Sequence, residues 1–164
     1  GPRQKYDDPF RNVMSIMLNR MLQGKQPIIY GDGKQQRCFS YIDDCLYCLN
    51  ALAFQDNVVG EVINIGPDEE PITINELAEA CANETGLNLD PIHHKDRPKE
   101  VKLAVCSSDK ARDLLGYSTA TNMRQSVKKT AEYIRTRGTK KFQYHLPLEI
   151  INDQTPDTWK NKLI

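Results

Sequence analysis

Two arginines, Arg37 and Arg97, are the residues whose type and setting in this sequence favour a specific chemistry. Arg37 follows a Gly-Asp-Gly turn at 31–33, and Arg97 precedes Pro98, which biases its backbone toward an extended conformation. A guanidinium group is planar, forked and permanently charged, so it suits bidentate contacts with phosphate oxygens. Two such groups at one place would hold a diphosphate.

A second interpretation makes both arginines ordinary surface ion-pair residues. Arg37 would then pair with one of the two aspartates at 43–44. Arg97 would pair with Asp96 or Glu100. Exposed pairs of this kind each stabilise a protein by less than about 1 kcal/mol. The spacing of the residues leaves both interpretations open.

Other residues with reactive side chains form no catalytic pattern. The sequence has no glycine-rich dinucleotide or phosphate signature, no His-Glu-x-x-His zinc pattern and no Gly-x-Ser-x-Gly nucleophile pattern. His93 and His94 are neighbours in a predicted strand, so their side chains would point to opposite faces and could not serve one centre. Cys45 and Cys48 form a Cys-x-x-Cys pair in a predicted helix with no second pair, which favours buried thiols over a metal site.

The elements that must position the two arginines alternate irregularly between helix and strand. Hydrophobic periodicity and capping residues predict helices over residues 9–23, 43–54, 74–86, 108–115 and 121–138. Apolar or β-branched runs predict strands at 27–30, 37–42 and 61–67, and two further extended segments between 91 and 107. This order predicts a small α+β domain without a nucleotide-binding Rossmann half.

Composition excludes several classes of protein. The 164 residues suit one domain, and 22 basic residues balance 22 acidic ones, so no overall charge would recruit nucleic acid or an anionic membrane. No apolar run approaches the roughly 18 residues of a membrane span, and no signal peptide pattern is visible, which predicts a cytoplasmic protein. The odd number of cysteines, five, predicts reduced thiols.

Four ordered segments carry a resemblance to a known family. "PIIYGDGKQQRCFSYIDD" at 27–44 resembles a stretch of the extended short-chain dehydrogenase/reductases, the NAD-dependent nucleotide-sugar epimerases and dehydratases such as UDP-glucose 4-epimerase. "GEVINIG", "PITINELAEA" and "RPKEVKLAVCSSDKARDLLGY" are similar to later segments of that family in the same order. The opening "GPRQ" is similar to the end of the family's Tyr-Gly-Pro-Arg-Gln.

The resemblance implies roles for particular residues. Arg37 and Arg97 match the family's two arginines that contact the diphosphate of the nucleotide sugar. Tyr30 matches the aromatic residue that packs against the nucleotide base, and Ile28 matches a residue that lines the same place.

Two weaker matches concern the nucleotide and the sugar. Asn64 matches a polar contact to the nucleotide. Ala104, seven residues after Arg97, matches the residue beside the sugar ring, where a small side chain leaves room for an N-acetyl group.

The family's NAD-binding Rossmann domain, with its catalytic Tyr-x-x-x-Lys pair, has no counterpart in this sequence. The resemblance therefore implies that residues 1–138 are a nucleotide-sugar binding domain, followed by a C-terminal tail at 139–164 that either wraps around the domain or is partly disordered. NAD is expected in the intact parent protein and none is expected to bind this chain, which should be inactive alone.

The expected function is the substrate-binding portion of an NAD-dependent nucleotide-sugar 4-epimerase, which is an isomerase. The alternatives are the same portion of a dehydratase or decarboxylase, and a stand-alone sugar-nucleotide-binding module. The expected partners are a UDP sugar and the missing N-terminal Rossmann domain, with no nucleic acid and no membrane. Formation of a homo-oligomer stays open.

Overall fold

The computed structural model describes residues 1–164, which form six α-helices and five short strands. The helices are α1 (Val13–Met21), α2 (Ile42–Phe54), α3 (Ile74–Thr85), α4 (Asp109–Leu115), α5 (Met123–Arg137) and α6 (Asp157–Lys160). The strands are β1 (Ile28–Tyr30), β2 (Gln36–Arg37), β3 (Ile72–Thr73), β4 (Ile92–His94) and β5 (Leu103–Ala104). No helix is both long and apolar enough to cross a membrane.

Three helices, α1, α3 and α5, pack together around the main hydrophobic core. Leu18, Leu77 and Ile134, one from each helix, are fully buried there. Burying a side chain of this size stabilises a fold by about 1.5–3 kcal/mol. The three helices therefore form the rigid support on which the short strands and their loops are held.

A smaller core joins α2 to α4 and contains Cys48, Ala111 and Leu115. Cys48 is buried and Cys45 is half-buried, and both thiols are free. No group of three or more histidine, cysteine or acidic side chains is arranged to hold a metal ion. Cys48 therefore contributes to the packing of this smaller core.

Capping residues fix the start of two helices. Thr73 Oγ1 accepts a hydrogen bond from the backbone N–H of Glu76, and the Glu76 carboxylate accepts one from the N–H of Thr73. This reciprocal pair confirms the capping box predicted from the sequence, and it lowers the pKa of the Glu76 carboxyl. Asn122 and Gln125 form the same arrangement at the start of α5.

The strands form two small sheets. In one, β1 pairs in parallel with β4, with Tyr30 opposite His94. In the other, β2 lies between β3, which is antiparallel, and β5, which is parallel, with Arg37 opposite Ala104. The mixture of helices and short strands agrees with the small mixed α and β domain predicted from the sequence.

Several predicted boundaries are wrong. Residues 61–67 form no strand, because the segment pairs with none of the five strands; its Ile63 and Ile65 pack against the core between α2 and α4 instead. The strand predicted at 37–42 is only Gln36–Arg37, so Arg37 ends it. The first helix begins at Val13 rather than at residue 9, because the Asp8 carboxylate accepts the N–H of Phe10 and holds a turn there. The short β3 and α6 were not predicted.

The C-terminal tail packs back on the rest of the chain, which agrees with the first of the two predicted alternatives. Asn19 donates from Nδ2 to the carbonyl of Lys140 at 2.8 Å and accepts the N–H of Lys140 at 3.1 Å. Farther along, Trp159 Nε1 donates to the carbonyl of Pro9 at 3.1 Å. These bonds hold the tail against α1 and the loop before it.

Candidate functional site

Arg37 and Arg97 meet at one carboxylate. Arg37 Nη2 donates to Glu100 Oε1 at 2.5 Å, and Arg97 Nε lies 3.9 Å from Glu100 Oε2. The side chains of Arg37 and Glu100 are mostly buried, whereas that of Arg97 is more exposed. The ion pair predicted for Arg37 with an aspartate at 43–44 is therefore wrong, and the pair predicted for Arg97 with Glu100 is present.

The turn at 31–33 needs glycine for steric reasons. Gly31 and Gly33 both have positive φ, and a Cβ atom on either would collide with a side chain, that of Asp96 or Asn75 respectively. The Lys34 N–H donates to the Asp32 carboxylate at 3.0 Å and lowers its pKa. This tight turn connects β1 to β2 and so fixes Tyr30 relative to Arg37.

Tyr30 forms one wall of the site. The Arg97 guanidinium lies 5.4 Å from the centre of the Tyr30 ring, a distance at which a cation and an aromatic face attract each other. His94 packs on another side of the Tyr30 ring, at 6.1 Å between ring centres. The Tyr30 hydroxyl is hydrogen-bonded to Thr158 Oγ1 at 2.6 Å, so the ring is held from several directions.

One buried polar atom beside the site has no partner. Gln35 is 6% exposed, and its Nε2 donates to the Tyr30 carbonyl at 3.3 Å, but its Oε1 makes no hydrogen bond. Buried polar atoms are almost always paired in folded proteins. Gln35 Oε1 is thus an exception to this rule beside Tyr30.

Two cavities adjoin the arginines, and Val13 lines both. One, of about 140 Å³, has Ile28, Tyr30 and Arg97 in its wall. The other, of about 430 Å³, has Arg37 in its wall. Each cavity thus has one of the two arginines at its side.

The remaining predicted residues lie at different distances from this centre. Ala104 is exposed and is the register partner of Arg37 across the parallel pair of β2 and β5. Asn64 is exposed in the irregular segment beside the smaller core and makes no hydrogen bond or ion pair with Arg37 or Arg97. The structure therefore brings Ala104 to the arginine cluster and does not bring Asn64 there.

The two histidines have separate environments, as predicted. His93 Nδ1 is hydrogen-bonded to the Gly31 carbonyl at 2.8 Å, whereas His94 packs on Tyr30. They share no centre.

Sequence reasoning missed two residues at the site, Glu100 as the link between the arginines and Trp159. For Glu100 a signal existed, because it follows Arg97 by three positions and was already a candidate ion-pair partner. For Trp159 the sequence held no signal, because the C-terminal tail has no periodicity. The Trp159 ring nevertheless lies 5.4 Å from the Arg97 guanidinium.

Comparison with known proteins identifies the family. Residues 1–130 match the GDP-mannose 4,6 dehydratase family. The chain belongs to this family. The match confirms the resemblance to the extended short-chain dehydrogenase/reductases on which the residue assignments rest.

The relatives of the chain within the GDP-mannose 4,6 dehydratase family include epimerases and a decarboxylase. The chain is 31% identical over 141 residues to a UDP-N-acetyl-alpha-D-glucosaminuronate decarboxylase of Bacillus cytotoxicus, covering 82% of the chain and 43% of that protein. Solved structures of the UDP-glucose 4-epimerase of Thermotoga maritima with UDP-glucose and the UDP-glucuronic acid 4-epimerase of Bacillus cereus with UDP-glucuronic acid and NAD match with TM-scores of 0.73 and 0.75. Each is 32% identical and covers 84% of the chain, which spans 43% of each structure.

The glycine turn at 31–33 does not have the form of a site for the pyrophosphate of NAD, which is bound in the Bacillus cereus structure. A pyrophosphate is normally held where a glycine-rich turn opens a helix, so that backbone N–H groups and the helix dipole face it. Gly31 and Gly33 instead lead into strand β2, and the space at their Cα atoms is taken by Asp96 and Asn75. The glycines of this turn serve the chain's own packing.

Proposed function

We propose that this chain is the substrate-binding portion of an NAD-dependent nucleotide-sugar 4-epimerase, and that Arg37 and Arg97 bind the diphosphate of a UDP sugar. The observation that carries the proposal is the meeting of both guanidinium groups at the Glu100 carboxylate. A carboxylate held there is a small anion in the position that a phosphate oxygen would take. The Arg37–Glu100 pair is mostly buried, so water screens the charges at this place less than at an exposed pair.

The surroundings of the arginines suit the rest of a nucleotide sugar. Tyr30 and Ile28 line the cavity of about 140 Å³, which we assign to the base. The cavity of about 430 Å³ beside Arg37 is within the range of ligand sites in proteins, about 300–1,000 Å³. We assign the sugar to this side because Ala104 lies next to Arg37. Asn64 lies in the irregular segment beside the smaller core, and its proposed contact with the nucleotide rests on the family resemblance alone.

The relatives support a UDP sugar as the ligand class. The two solved epimerases contain UDP-glucose and UDP-glucuronic acid. The Bacillus cytotoxicus relative is a decarboxylase, which favours a second candidate, the same portion of a decarboxylase or dehydratase. The proposed arginine site would serve either candidate, so we propose that the reaction type depends on residues outside this chain.

We further propose that the chain alone catalyses no epimerisation, and that a Rossmann domain which binds NAD covers part of its surface. The chain spans less than half of the relatives' length. Ile42, Leu46 and Leu49 form a stripe on α2 that is about half exposed, 44%, 51% and 53% respectively. Contiguous apolar surface of this kind marks a protein interface. A second copy of the chain is the alternative occupant.

Isothermal titration calorimetry of the 164-residue chain with UDP and UDP-glucose tests the binding proposal. Saturable binding that is lost on replacing both arginines supports it. Absence of binding by a wild-type chain that unfolds cooperatively on heating, and is therefore folded, would contradict it. Turnover of UDP-glucose by the purified chain with added NAD would contradict the proposed inactivity. Light scattering measures whether the chain self-associates, which is the alternative use of the apolar stripe on α2.

A further inference from the structure

The C-terminal tail, residues 139–164, reaches the candidate base site although the family match ends at residue 130. Thr158 is 2% exposed, and both its hydroxyl and its backbone N–H bond to the Tyr30 hydroxyl, at 2.6 and 3.1 Å. The tail is further fixed by the bond from Trp159 Nε1 to the Pro9 carbonyl. Its position over Tyr30 therefore depends on specific polar contacts as well as on apolar packing.

Arg97 lies between two aromatic rings, one from each part of the chain. Its guanidinium is 5.4 Å from the centre of the Tyr30 ring and 5.4 Å from that of the Trp159 ring. Phe10 packs edge-on against Trp159, at 5.3 Å between ring centres, and restrains the indole from another side. Trp159 thus has a defined place in the wall of the candidate base site.

The tail leaves space beneath it. The cavity of about 140 Å³ is lined by Val13, Ile28, Tyr30 and Arg97 of the domain and by Thr158 and Trp159 of the tail. An apolar protein cavity of about 150 Å³ accommodates one six-membered ring such as benzene. A segment that merely blocked the site would fill this volume, whereas here the tail forms one side of a partly open cavity.

We infer that Trp159 and Thr158 complete the base site, and that Trp159 is a specificity-determining residue that selects a single-ring base. The inference deepens the proposed function and rests on it. A pyrimidine ring matches the volume of the cavity lined by Tyr30, Arg97 and Trp159, and the larger fused ring of a purine exceeds it. The domain supplies the arginines for the diphosphate, and the tail supplies selection for the base.

Intrinsic fluorescence tests this inference directly, because Trp159 is the chain's one tryptophan. UDP and UMP should change its emission, whereas inorganic pyrophosphate, which carries no base, should bind without the same change. Unchanged emission on saturation with UDP, measured alongside calorimetry, would overturn the placement of the base beside Trp159.

Substitution separates selection from folding. W159A should weaken UDP binding by about tenfold or more, as expected for the loss of one stacked ring, and weaken pyrophosphate binding much less, because only its contact with the Arg97 guanidinium bears on the anion. The preference for UDP over ADP should fall in W159A and return in W159F, and thermal unfolding reports whether each variant stays folded. T158V, which removes the hydroxyl bond to Tyr30, is a second variant that should also weaken UDP more than pyrophosphate.

The outcomes distinguish this inference from the proposed function. If W159A and T158V bind UDP as tightly as the wild type, or more tightly, the tail is a bystander or a competitor for the site and the inference is wrong. If the wild type binds pyrophosphate and UDP equally well, the arginine site stands and the base site does not. If it binds neither, the proposed function fails and the inference fails with it.

Discussion

Glu100 Oε1 accepts a 2.5 Å hydrogen bond from Arg37 Nη2, although the two residues are 63 positions apart in the sequence. The pair is partly buried, with 26% of the Arg37 side chain and 18% of the Glu100 side chain exposed. Arg97 approaches the other oxygen of the same carboxylate. Without a ligand, this single carboxylate balances part of the positive charge of both arginines.

This relationship predicts that Glu100→Gln tightens the binding of inorganic pyrophosphate. The substitution removes a negative charge that competes with the anion for both guanidinium groups while it keeps the size of the side chain. We expect an affinity gain of about 3- to 10-fold, and a loss of unfolding free energy under about 1 kcal/mol because the pair is partly solvated. Calorimetry and thermal unfolding measure the two quantities. Weaker pyrophosphate binding would mean that Glu100 orients the arginines and does not compete with the ligand.

Arg37→Ala and Arg97→Ala should each weaken the binding of a UDP sugar by about 2–5 kcal/mol, because each removes one member of a desolvated charged contact. Calorimetry on the intact parent protein and on this chain measures the loss. Arg137→Ala is a matched control, because Arg137 is exposed at the end of α5 and makes no ion pair. Wild-type affinity in both site variants would make the arginines surface ion-pair residues only.

Cysteine reactivity should follow burial. Cys81 lies fully buried in α3, and burial raises the pKa of its thiol to about 12, whereas Cys106 is exposed. Alkylation requires the thiolate and access to it. At pH 8, iodoacetamide should therefore modify Cys106 in the folded chain and leave Cys81 and Cys48 unmodified, as read by peptide mass spectrometry. Modification of all three in denaturant is the control, and equal rates in the folded chain would contradict the buried placement.

Local signals in the sequence predicted some elements well and others poorly. The capping box at Thr73 and Glu76 was predicted correctly because it depends on residues three positions apart. The strand at 61–67 was predicted wrongly, because its β-branched residues satisfy their preference for a packed surface against α2 and α4. A strand also needs a partner, and no local pattern reveals whether one is present.

The candidate site, too, could be predicted from the sequence only in part. The two arginines could be singled out by residue type and turn context, but their meeting at Glu100 depends on the pairing of β2 with β5, which sequence alone does not reveal. The wall formed by Trp159 could not be predicted, because it depends on the path of the C-terminal tail across Tyr30.

Stability at low pH should depend on Arg112. Hydrogen bonds from Arg112 lower the pKa of the Asp68 and Glu69 carboxyls, so both stay ionised in the folded chain at a pH where they would be protonated when unfolded. The stabilisation that these two ionised carboxyls provide is complete above their unfolded-state pKa values of about 4. It is lost as the pH falls through their lowered folded-state pKa values. Arg112→Gln should lower the melting temperature at pH 7.

The change of the melting temperature with pH below pH 5 is the more specific test. This pH dependence should be shallower in Arg112→Gln than in the wild type, because the largest cause that lowers the pKa of the Asp68 and Glu69 carboxyls in the folded chain is removed, while the hydrogen bond from the Ser108 N–H to Asp68 remains. Arg137→Gln, at an exposed position without an ion pair, should follow the wild-type curve. Parallel curves for Arg112→Gln and the wild type would assign the acid dependence to other groups.

The small side chain of Ala104 should permit sugars of different size. Ala104 is the exposed register partner of Arg37, so a larger residue there would narrow the space beside the proposed diphosphate site. The intact parent should therefore accept UDP-glucose and UDP-N-acetylglucosamine, because an apolar pocket discriminates by only about 1–3 kcal/mol for a methylene-sized difference. Ala104→Tyr should select against the N-acetylated sugar, and Ala104→Ser, which barely changes the volume, is the control. Steady-state kinetics of the parent on both sugars measures the ratio of kcat/KM. Rejection of the N-acetylated sugar by the wild type, or an unchanged ratio in Ala104→Tyr, would mean that the sugar ring lies elsewhere.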